Sequence, residues 1–262
     1  MISILTPRYY FADDFRPFYS YFLSQPHTER VFQKGDYLWR PGQPHDRIHY
    51  FISGNAVHFA EHETGRRRII SFHGPGTVFP GYHTADFRIE LSLTTAALSP
   101  IHVLEFTIPQ FQAMFEASPA LSECVINWYA RYVNRFLFET IHQEFNSSQV
   151  KLCNLLYLLT ANQPSGSCQP SSSGLTSGCG LPSDSGRPSC SGRPSDSGQP
   201  SDSGLTIGMT QEDLADILGI SRVQITRELT KLRRLGILST ARGKLTVTNL
   251  AALTALCTGE TV

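Results

Sequence analysis

The sequence has little of several features that mark common protein classes. Lysine plus arginine equals aspartate plus glutamate at 22 residues each, so no overall basic charge indicates nucleic-acid binding. No apolar run reaches the roughly 20 residues that a membrane-spanning helix requires. Residues 1–15 lack the cationic start and apolar core of a signal peptide. We therefore expect a cytoplasmic protein.

The cysteines do not have the spacing of a metal site. The six cysteines include no Cys-x-x-Cys pair and no close group with histidine, so the sequence predicts neither zinc nor iron–sulfur binding. Three of them recur at even intervals, which suits either a redox or metal device or an accident of the surrounding repeat. A disordered segment must be ordered before its side chains can bind a metal, which costs free energy. The even spacing is therefore better explained by the surrounding repeat than by a metal or redox site. The cysteines are Cys124, Cys153, Cys168, Cys179, Cys190 and Cys257.

Apolar residues are nearly missing from residues 163–204, which contain mostly Ser, Gly, Pro, Asp, Gln, Arg and Cys. A six-residue repeat of the form Pro-Ser-x-Ser-Gly-x occurs four times, beginning at Pro182. Such a composition cannot bury a core, so we expect a disordered insertion. Repeat expansion without function is the favoured explanation, with a partner-binding or modified segment as the alternative.

The full sequence is 40% hydrophobic and is long enough for two ordinary domains. After an aromatic-rich start that predicts a short helix within residues 1–30, short β-prone runs separated by glycine and proline extend to Thr107. Closely spaced strands with turn signals predict a β-roll. The predicted strands are Asp36–Trp39, Ile48–Ile52, Ala56–Ala60, Arg68–Phe72, Ile89–Ala97 and Ile101–Phe106.

From Ile108 the pattern becomes helical. We predict a short helix over Pro109–Glu116, a long helix from about Ala120 to Phe145 and another over Val150–Asn162. The apolar residues of the long helix cover about half of its circumference, more than one buried face requires. This width favours a helix that packs on its own β-roll and on a second copy of the chain, and the alternative is burial within one subunit.

Residues 209–234 predict two short helices joined by a tight turn. Thr210 and Asp213 have the spacing of a capping box, and Gly219 suits a left-handed turn. Ser221 is a good cap for the second helix, whose apolar residues Ile225, Leu229 and Leu232 form one narrow stripe.

The opposite face of the second helix is cationic. From Ser221 to Arg234 there are five basic residues against one acid, Glu228. Such a face suits the major groove of DNA, where arginine pairs with guanine edges and phosphates. A solvated basic helix in an ordinary hairpin is the alternative, but the combination of caps, glycine turn and small Ala215 favours a helix-turn-helix.

Residues 238–247 then predict a β-hairpin wing with Arg242 and Lys244 at its tip, and Asn249–Leu256 predicts a short final helix.

The order of these parts resembles the CRP/FNR family of bacterial transcription regulators. The resemblance rests on Lys34-Gly35-Asp36 with Gly42, on Ile48–Val57, and on the turn from Gly65 to Gly76 in the β-roll. It also rests on Thr210–Ala215 and on Ser221-Arg222 with Ile225, Arg227 and Leu229 in the helix-turn-helix. It implies an α+β fold: an N-terminal double-stranded β-roll (jelly roll), a long dimerisation helix and a C-terminal winged helix-turn-helix. The domains are expected at 1–117 for effector sensing, 118–147 for the dimerisation helix and 148–262 for DNA binding, with 163–204 as an insertion.

The resemblance further implies that the protein is not an enzyme and binds a palindromic operator in double-stranded DNA as a homodimer, with RNA polymerase as a further partner. Arg222 and Arg227 are expected to make the decisive contacts. Val223 occupies the position where many relatives have a glutamate that reads cytosine, so the operator should depart from the usual half-site. The predicted DNA-binding residues are Thr210, Gln211, Ser221, Arg222, Val223, Gln224, Thr226, Arg227, Lys231, Arg242 and Lys244.

The effector is not expected to be a cyclic nucleotide. In the stretch where relatives bind one, only Gly81 keeps the pattern; Tyr82 replaces the ribose-binding glutamate and Leu91 the phosphate-binding arginine, with Arg88 out of register. An iron–sulfur cluster is not expected either, because the relatives that bind one have cysteines near the N-terminus and the first cysteine here is Cys124. Haem would need axial ligands, for which His73, His83 and His102 are candidates. A lone histidine in a strand is more often an ordinary core or surface residue, so we expect no cofactor.

A small organic effector between β-roll and long helix is the remaining expectation. Its predicted site residues are Phe79, Gly81, Tyr82, Trp128, Arg131 and Tyr132. Two other classes stay open from the sequence. One is a sensor that has lost DNA binding through the insertion. The other is a jelly-roll enzyme, which would need a His/Glu metal cluster, whereas His49, His58, His73 and Glu105 are scattered.

Overall fold

The computed structural model of the protein describes residues 7–84, 91–161, 205–207, 209–241 and 244–258. The predicted insertion at 163–204 with Cys168, Cys179 and Cys190 lies outside these residues, as do Arg88 and Arg242. In the described part, no helix is both long and apolar enough to cross a membrane.

Two sheets form the predicted β-roll in the N-terminal half. One sheet has the order β1-β6-β5-β8-β3, and the other has the order β2-β9-β4-β7. The strands are β1 (Tyr10–Phe11), β2 (Thr28–Phe32), β3 (Tyr37–Trp39), β4 (Arg47–Ser53), β5 (Ala56–Glu61), β6 (Arg67–His73), β7 (Val78–Phe79), β8 (Leu93–Ala97) and β9 (Ile101–Thr107). Each of the six predicted runs contains a strand. Between the sheets lies a core rich in aromatic side chains, to which α1 (Tyr19–Ser24) adds Phe22.

Two helices follow the roll, each with a side-chain cap. Thr107 and Gln110 form a capping box at the start of α2 (Ile108–Ala117), and the Ser118 hydroxyl accepts from the Leu121 amide at the start of α3 (Pro119–Phe138). The predicted long helix reaches Phe145, but it is not α-helical throughout. Residues Glu139–Gln143 form a π-helical turn, in which the hydrogen bonds span one residue more than in an α-helix.

The α3 helix has the two apolar faces that the sequence predicted. Leu121, Val125 and Trp128 are buried against the β-roll. On the other side, an apolar stripe remains exposed. We call it the α3 stripe; it consists of Ile126, Val133 and Leu137 on α3 and of Ile141 and Phe145 just beyond it, all of which are 52% or more exposed.

The C-terminal part is a winged helix-turn-helix. Its elements are α4 (Ser148–Ala161), β10 (Leu205–Ile207), α5 (Gln211–Leu218), α6 (Arg222–Arg234), β11 (Leu238–Ala241), β12 (Lys244–Val247) and α7 (Leu250–Thr254). The sequence did not predict β10, which pairs with β12 and lies against α4. The described chain thus stops at the end of α4 and resumes at β10, beside the same helix.

Candidate nucleic-acid interface

The first helix of the pair begins at the predicted capping box. The Asp213 amide donates to the Thr210 hydroxyl at 3.1 Å, and the Thr210 amide donates to the Asp213 carboxylate at 2.9 Å. The helix ends at Gly219, whose φ of 66° lies in the left-handed region that glycine adopts without a Cβ clash. Both predictions are confirmed.

Ser221 caps α6 in the same way. The Gln224 amide donates to the Ser221 hydroxyl at 3.2 Å, and the Ser221 amide donates to Gln224 Oε1 at 3.0 Å. This second capping box uses the side-chain oxygen of Gln224. Of the Gln224 side chain, the amide nitrogen is therefore the group left to contact DNA.

The two faces of α6 differ as the sequence predicted. Ile225, Leu229 and Leu232 are at most 1% exposed and anchor the helix in the domain core. The opposite face carries Arg222, Val223 and Arg227, all exposed, with Val223 at 60%. A helix held by its apolar stripe presents this face to solvent in a fixed orientation.

The charged side chains of α6 divide into two groups. Lys231 donates to Glu228 at 2.9 Å, and Arg233 donates to Thr230 and Thr240. In the described part of the chain, by contrast, no acid pairs with Arg222 or Arg227. These two guanidinium groups are available to phosphates or base edges without first breaking an ion pair.

Three further predicted contacts surround this face. The Thr226 hydroxyl donates to Gln211 Oε1 at 2.9 Å, which joins α6 to α5. Lys244 is exposed at the first residue of β12. Arg242 lies outside the described residues, so this basic residue of the wing tip stays a prediction.

The helix-turn-helix lies against the β-roll. Phe59 and Ile69 of the roll belong to the same buried apolar cluster as Leu214 and Ile217 of α5. Beside this contact is a cleft of about 370 Å³. From the roll it is lined by Gly65, Arg66 and Arg67, and from the DNA-binding domain by residues that include Thr210, Asp216 and Arg222.

Arg68 joins three parts of the molecule at the edge of this cleft. Its guanidinium group pairs with Glu139 in the π-helical turn, and Glu139 also accepts from the Tyr9 hydroxyl. A Cβ atom added to Gly219 would collide with a terminal nitrogen of Arg68. Sequence reasoning missed Arg68 and Glu139, because only the fold brings them to the turn of the helix-turn-helix.

The predicted effector residues are only partly brought together. Phe79 and Trp128 are buried in the same core, and Gly81 packs so closely on α3 that an added Cβ would lie 2.7 Å from the Trp128 ring. Tyr82 instead faces α2, where its ring lies 5.7 Å from that of Phe111. The other two residues also have partners: Arg131 pairs with the buried Asp14, and the Tyr132 hydroxyl lies 2.9 Å from Ser71 Oγ.

The candidate haem ligands do not converge. His73 is fully buried and shares a hydrogen bond with Ser71, whereas His102 pairs with Glu29 on β2. The His83 ring lies 6.5 Å from Tyr129, beside α3. Among the described residues, no group of three or more His, Cys, Asp or Glu side chains could hold a metal ion.

Comparison with protein families identifies both domains. Residues 29–118 match the family described as the cyclic nucleotide-binding domain, and residues 191–256 match the Crp-like helix-turn-helix domain. No curated protein matches the chain by sequence.

Solved structures share the whole fold at low sequence identity. CprK complexed with OCPA has a TM-score of 0.63 and 16% identity, over 95% of this chain and 98% of that one. FixK2 from Bradyrhizobium japonicum has a TM-score of 0.65 and 15% identity, over 89% and 98% of the two chains. A CRP/FNR-family transcriptional regulator from Thermus thermophilus has a TM-score of 0.59 and 15% identity, over 87% and 97%.

The chain thus has both domains in the order of these regulators, and the relatives are not enzymes. Its helix-turn-helix matches the Crp-like model, and its β-roll matches the cyclic nucleotide-binding model. The protein therefore belongs to the CRP/FNR family of transcription regulators.

Proposed function

We propose that the protein is a homodimeric transcription regulator that binds a palindromic operator and responds to a small-molecule effector other than a cyclic nucleotide. The observation that best supports sequence-specific DNA binding is the exposed face of α6, where Arg222 and Arg227 are not paired with an acid among the described residues. Arginine on a rigidly held helix can contact both phosphates and guanine edges. Val223 offers only an apolar surface, which suits a thymine methyl group.

The α3 stripe supports the homodimer. Its residues Ile126, Val133 and Leu137 follow one another at intervals of seven and four residues, so they form one line along α3. A parallel pair of α3 helices would bury both stripes around a two-fold axis, and a two-fold protein matches a palindromic site.

The effector would act through the contact between β-roll and helix-turn-helix. Thr210 and Arg222, both predicted DNA contacts, line the cleft that Gly65–Arg67 close from the other side. Both residues are exposed, but the roll lies beside them, so a duplex would fit this edge better when the cleft is opened. An effector that binds the opened arrangement more tightly would increase its population, which is a shift between existing states and not a chemical step.

The residue at the expected phosphate-binding position supports an effector other than a cyclic nucleotide. Leu91 stands at the expected position and is 38% exposed. A buried phosphate without a fixed guanidinium group would be left unpaired. The regulator would act in the cytoplasm and contact RNA polymerase when bound to its operator.

Selection of duplexes from a random DNA library tests this function. The full chain should enrich a palindrome whose half-sites lie about one helical turn, 10 base pairs, apart. Arg227→Ala should enrich sequences with relaxed preference in each half-site, while the matched control Arg40→Ala, on the surface of the roll, should enrich the native palindrome. Enrichment of no sequence by the native protein, with or without cell extract metabolites, would refute it and favour a sensor without DNA binding.

A further inference from the structure

The turn between β5 and β6 places two arginines of the β-roll beside the helix-turn-helix. The turn is closed by backbone hydrogen bonds, from the His62 amide to the Arg66 carbonyl at 2.9 Å and from the Gly65 amide to the His62 carbonyl at 2.8 Å. Every residue from Glu61 to Arg67 is exposed. We call Gly65, Arg66 and Arg67 the hairpin tip. The backbone of the tip is held in place while its side chains remain open to solvent.

The hairpin tip borders the same cleft as the starts of both helices of the helix-turn-helix. The α5 helix packs on β6, and the cleft of about 370 Å³ lies between the tip on one side and Thr210 and Arg222 on the other. A compact cavity of this volume is about 9 Å across, less than the roughly 12 Å width of the DNA major groove. When a helix-turn-helix binds DNA, the start of its second helix enters the groove and its first helix crosses the backbone. The tip therefore lies within one groove width of the residues that face DNA.

Three acids of α5 also line the cleft, and two of them are compensated locally. Asp213 completes the capping box at the start of α5, where the helix dipole is positive. Burial raises the pKa of Asp216, and the Arg67 charge opposes that rise, so these two charges lie close together. Glu212 alone remains against Arg66 and the arginine at the start of α6. This part of the cleft thus has an excess of positive charge.

The two arginines of the hairpin tip differ in what they contact. Arg67 lies over the Phe59 ring, with its guanidinium carbon 4.1 Å from the ring centre, and its charge also acts on Asp216. Over the described ranges of the chain, by contrast, no acid forms an ion pair with Arg66. An exposed guanidinium group of this kind can donate to a phosphate without first breaking an ion pair. Arg66 is therefore the residue of the tip that is best suited to bind an anion.

We propose that the hairpin tip is part of the DNA interface, where Arg66 contacts a backbone phosphate beside each half-site from the roll side of the cleft. An opened cleft would admit the phosphate backbone between the tip and α6, so that the roll and the helix-turn-helix hold it from two sides. Such a contact carries no base information, because phosphates are the same in every sequence. This inference rests on the proposed function and extends the DNA-binding surface into the roll, where the sequence predicted no contact.

The salt dependence of binding to the duplex selected by the native chain tests the proposal. Each neutralised phosphate contributes about −0.9 to the slope of log affinity against log salt, so Arg66→Gln in both subunits should make the slope shallower by about 1.8. It should also weaken binding at low salt by about 10-fold or more, as expected for the loss of a charge-assisted hydrogen bond. An unchanged slope, or an affinity that rises because the tip only pairs with the acids of α5, would overturn the proposal.

Two further variants separate a phosphate contact from other effects. Arg66→Lys keeps the positive charge and should keep most of the native slope, since lysine also binds phosphates as a point charge. Arg40→Gln removes an exposed arginine elsewhere on the roll and should give the native slope. If Arg66→Lys lost as much slope as Arg66→Gln, or if Arg40→Gln lost the same amount, the contact would not be specific to a charge at the tip and the proposal would be overturned.

Ethylation of single phosphates in the selected duplex locates the contact. The native chain should lose affinity when one phosphate beside each half-site is ethylated, and Arg66→Gln should be insensitive at that phosphate. Equal sensitivity of both proteins at every phosphate would overturn the proposal.

The outcomes for this inference and for the proposed function differ. A native chain that binds no duplex would overturn both. A native chain that binds its palindrome with a salt slope that Arg66→Gln leaves unchanged keeps the proposed function and loses only this inference. Because a phosphate contact does not read bases, Arg66→Gln should still enrich the native palindrome from a random library, unlike Arg227→Ala. A different palindrome would overturn the assignment of Arg66 to a phosphate.

Discussion

The substitution Leu137→Glu should break the proposed dimer, because Leu137 lies in the α3 stripe with 52% of its surface exposed in the single chain. Complete burial of a leucine side chain contributes about 1.5–3 kcal/mol, so burying the exposed half contributes about 1 kcal/mol. Two-fold symmetry applies the loss twice, which gives about 2 kcal/mol for the dimer.

The introduced carboxylates add a second penalty. In a parallel seam the two glutamates would lie near the axis, and like charges brought together at an interface cost about 2 kcal/mol or more. The total of about 4 kcal/mol corresponds to a dimer dissociation constant about 1000-fold higher.

Sedimentation equilibrium measures this change directly. The matched control is Leu98→Glu, a leucine after β8 that is 44% exposed and lies outside the α3 stripe. The control should dimerise as the native chain does, and Leu137→Glu should sediment as a monomer with unchanged far-UV circular dichroism. A native dissociation constant for Leu137→Glu would refute a dimer built on α3.

Three further predictions concern single residues. Arg227→Ala should lose about 1–3 kcal/mol of specific DNA binding in fluorescence anisotropy, because it removes an unpaired guanidinium group from α6; undiminished affinity would contradict the orientation of that helix. Gly219→Ala should lower the free energy of unfolding in urea by about 1–2 kcal/mol, since its φ of 66° disfavours any Cβ and the new atom meets Arg68; native stability would contradict the turn geometry. His58 has a folded pKa of about 3, below its unfolded value, so the unfolded chain binds a proton that the folded chain rejects. Stability should therefore fall by about 1.4 kcal/mol per pH unit as the pH drops from 6.5 towards the folded pKa of about 3, and His58→Gln should remove this share of the slope.

The helix-turn-helix could be predicted to the residue because its signals are local. Both capping boxes join residues three apart, and Gly219 marks its own turn. The six strands with alternating or apolar sequence were also predictable. In contrast, β2 is exposed over most of its length and β7 has only two residues, so neither leaves a periodic pattern.

The burial of Arg135, a charged residue of α3 that is only 3% exposed, could not be predicted in this way. Nothing near Arg135 in the chain shows that its side chain is buried, and its neighbours in space come from β5 and β6, which are distant in sequence. The register that puts His58 beside Ser71 depends on a β-bulge at His58–Phe59. Likewise, the contact of Arg68 with Gly219 depends on how the two domains pack, which no local pattern specifies.

The salt dependence of DNA binding tests most directly the central claim that the α6 face reads DNA. The measurement is the equilibrium affinity of the native chain for its selected duplex across a series of salt concentrations. Each neutralised phosphate contributes about −0.9 to the slope of log affinity against log salt, so a dimer that uses Arg222 and Arg227 on both subunits should give a slope of about −4 or steeper. A slope near zero would contradict the account, since a helix face that reaches the duplex must neutralise phosphates.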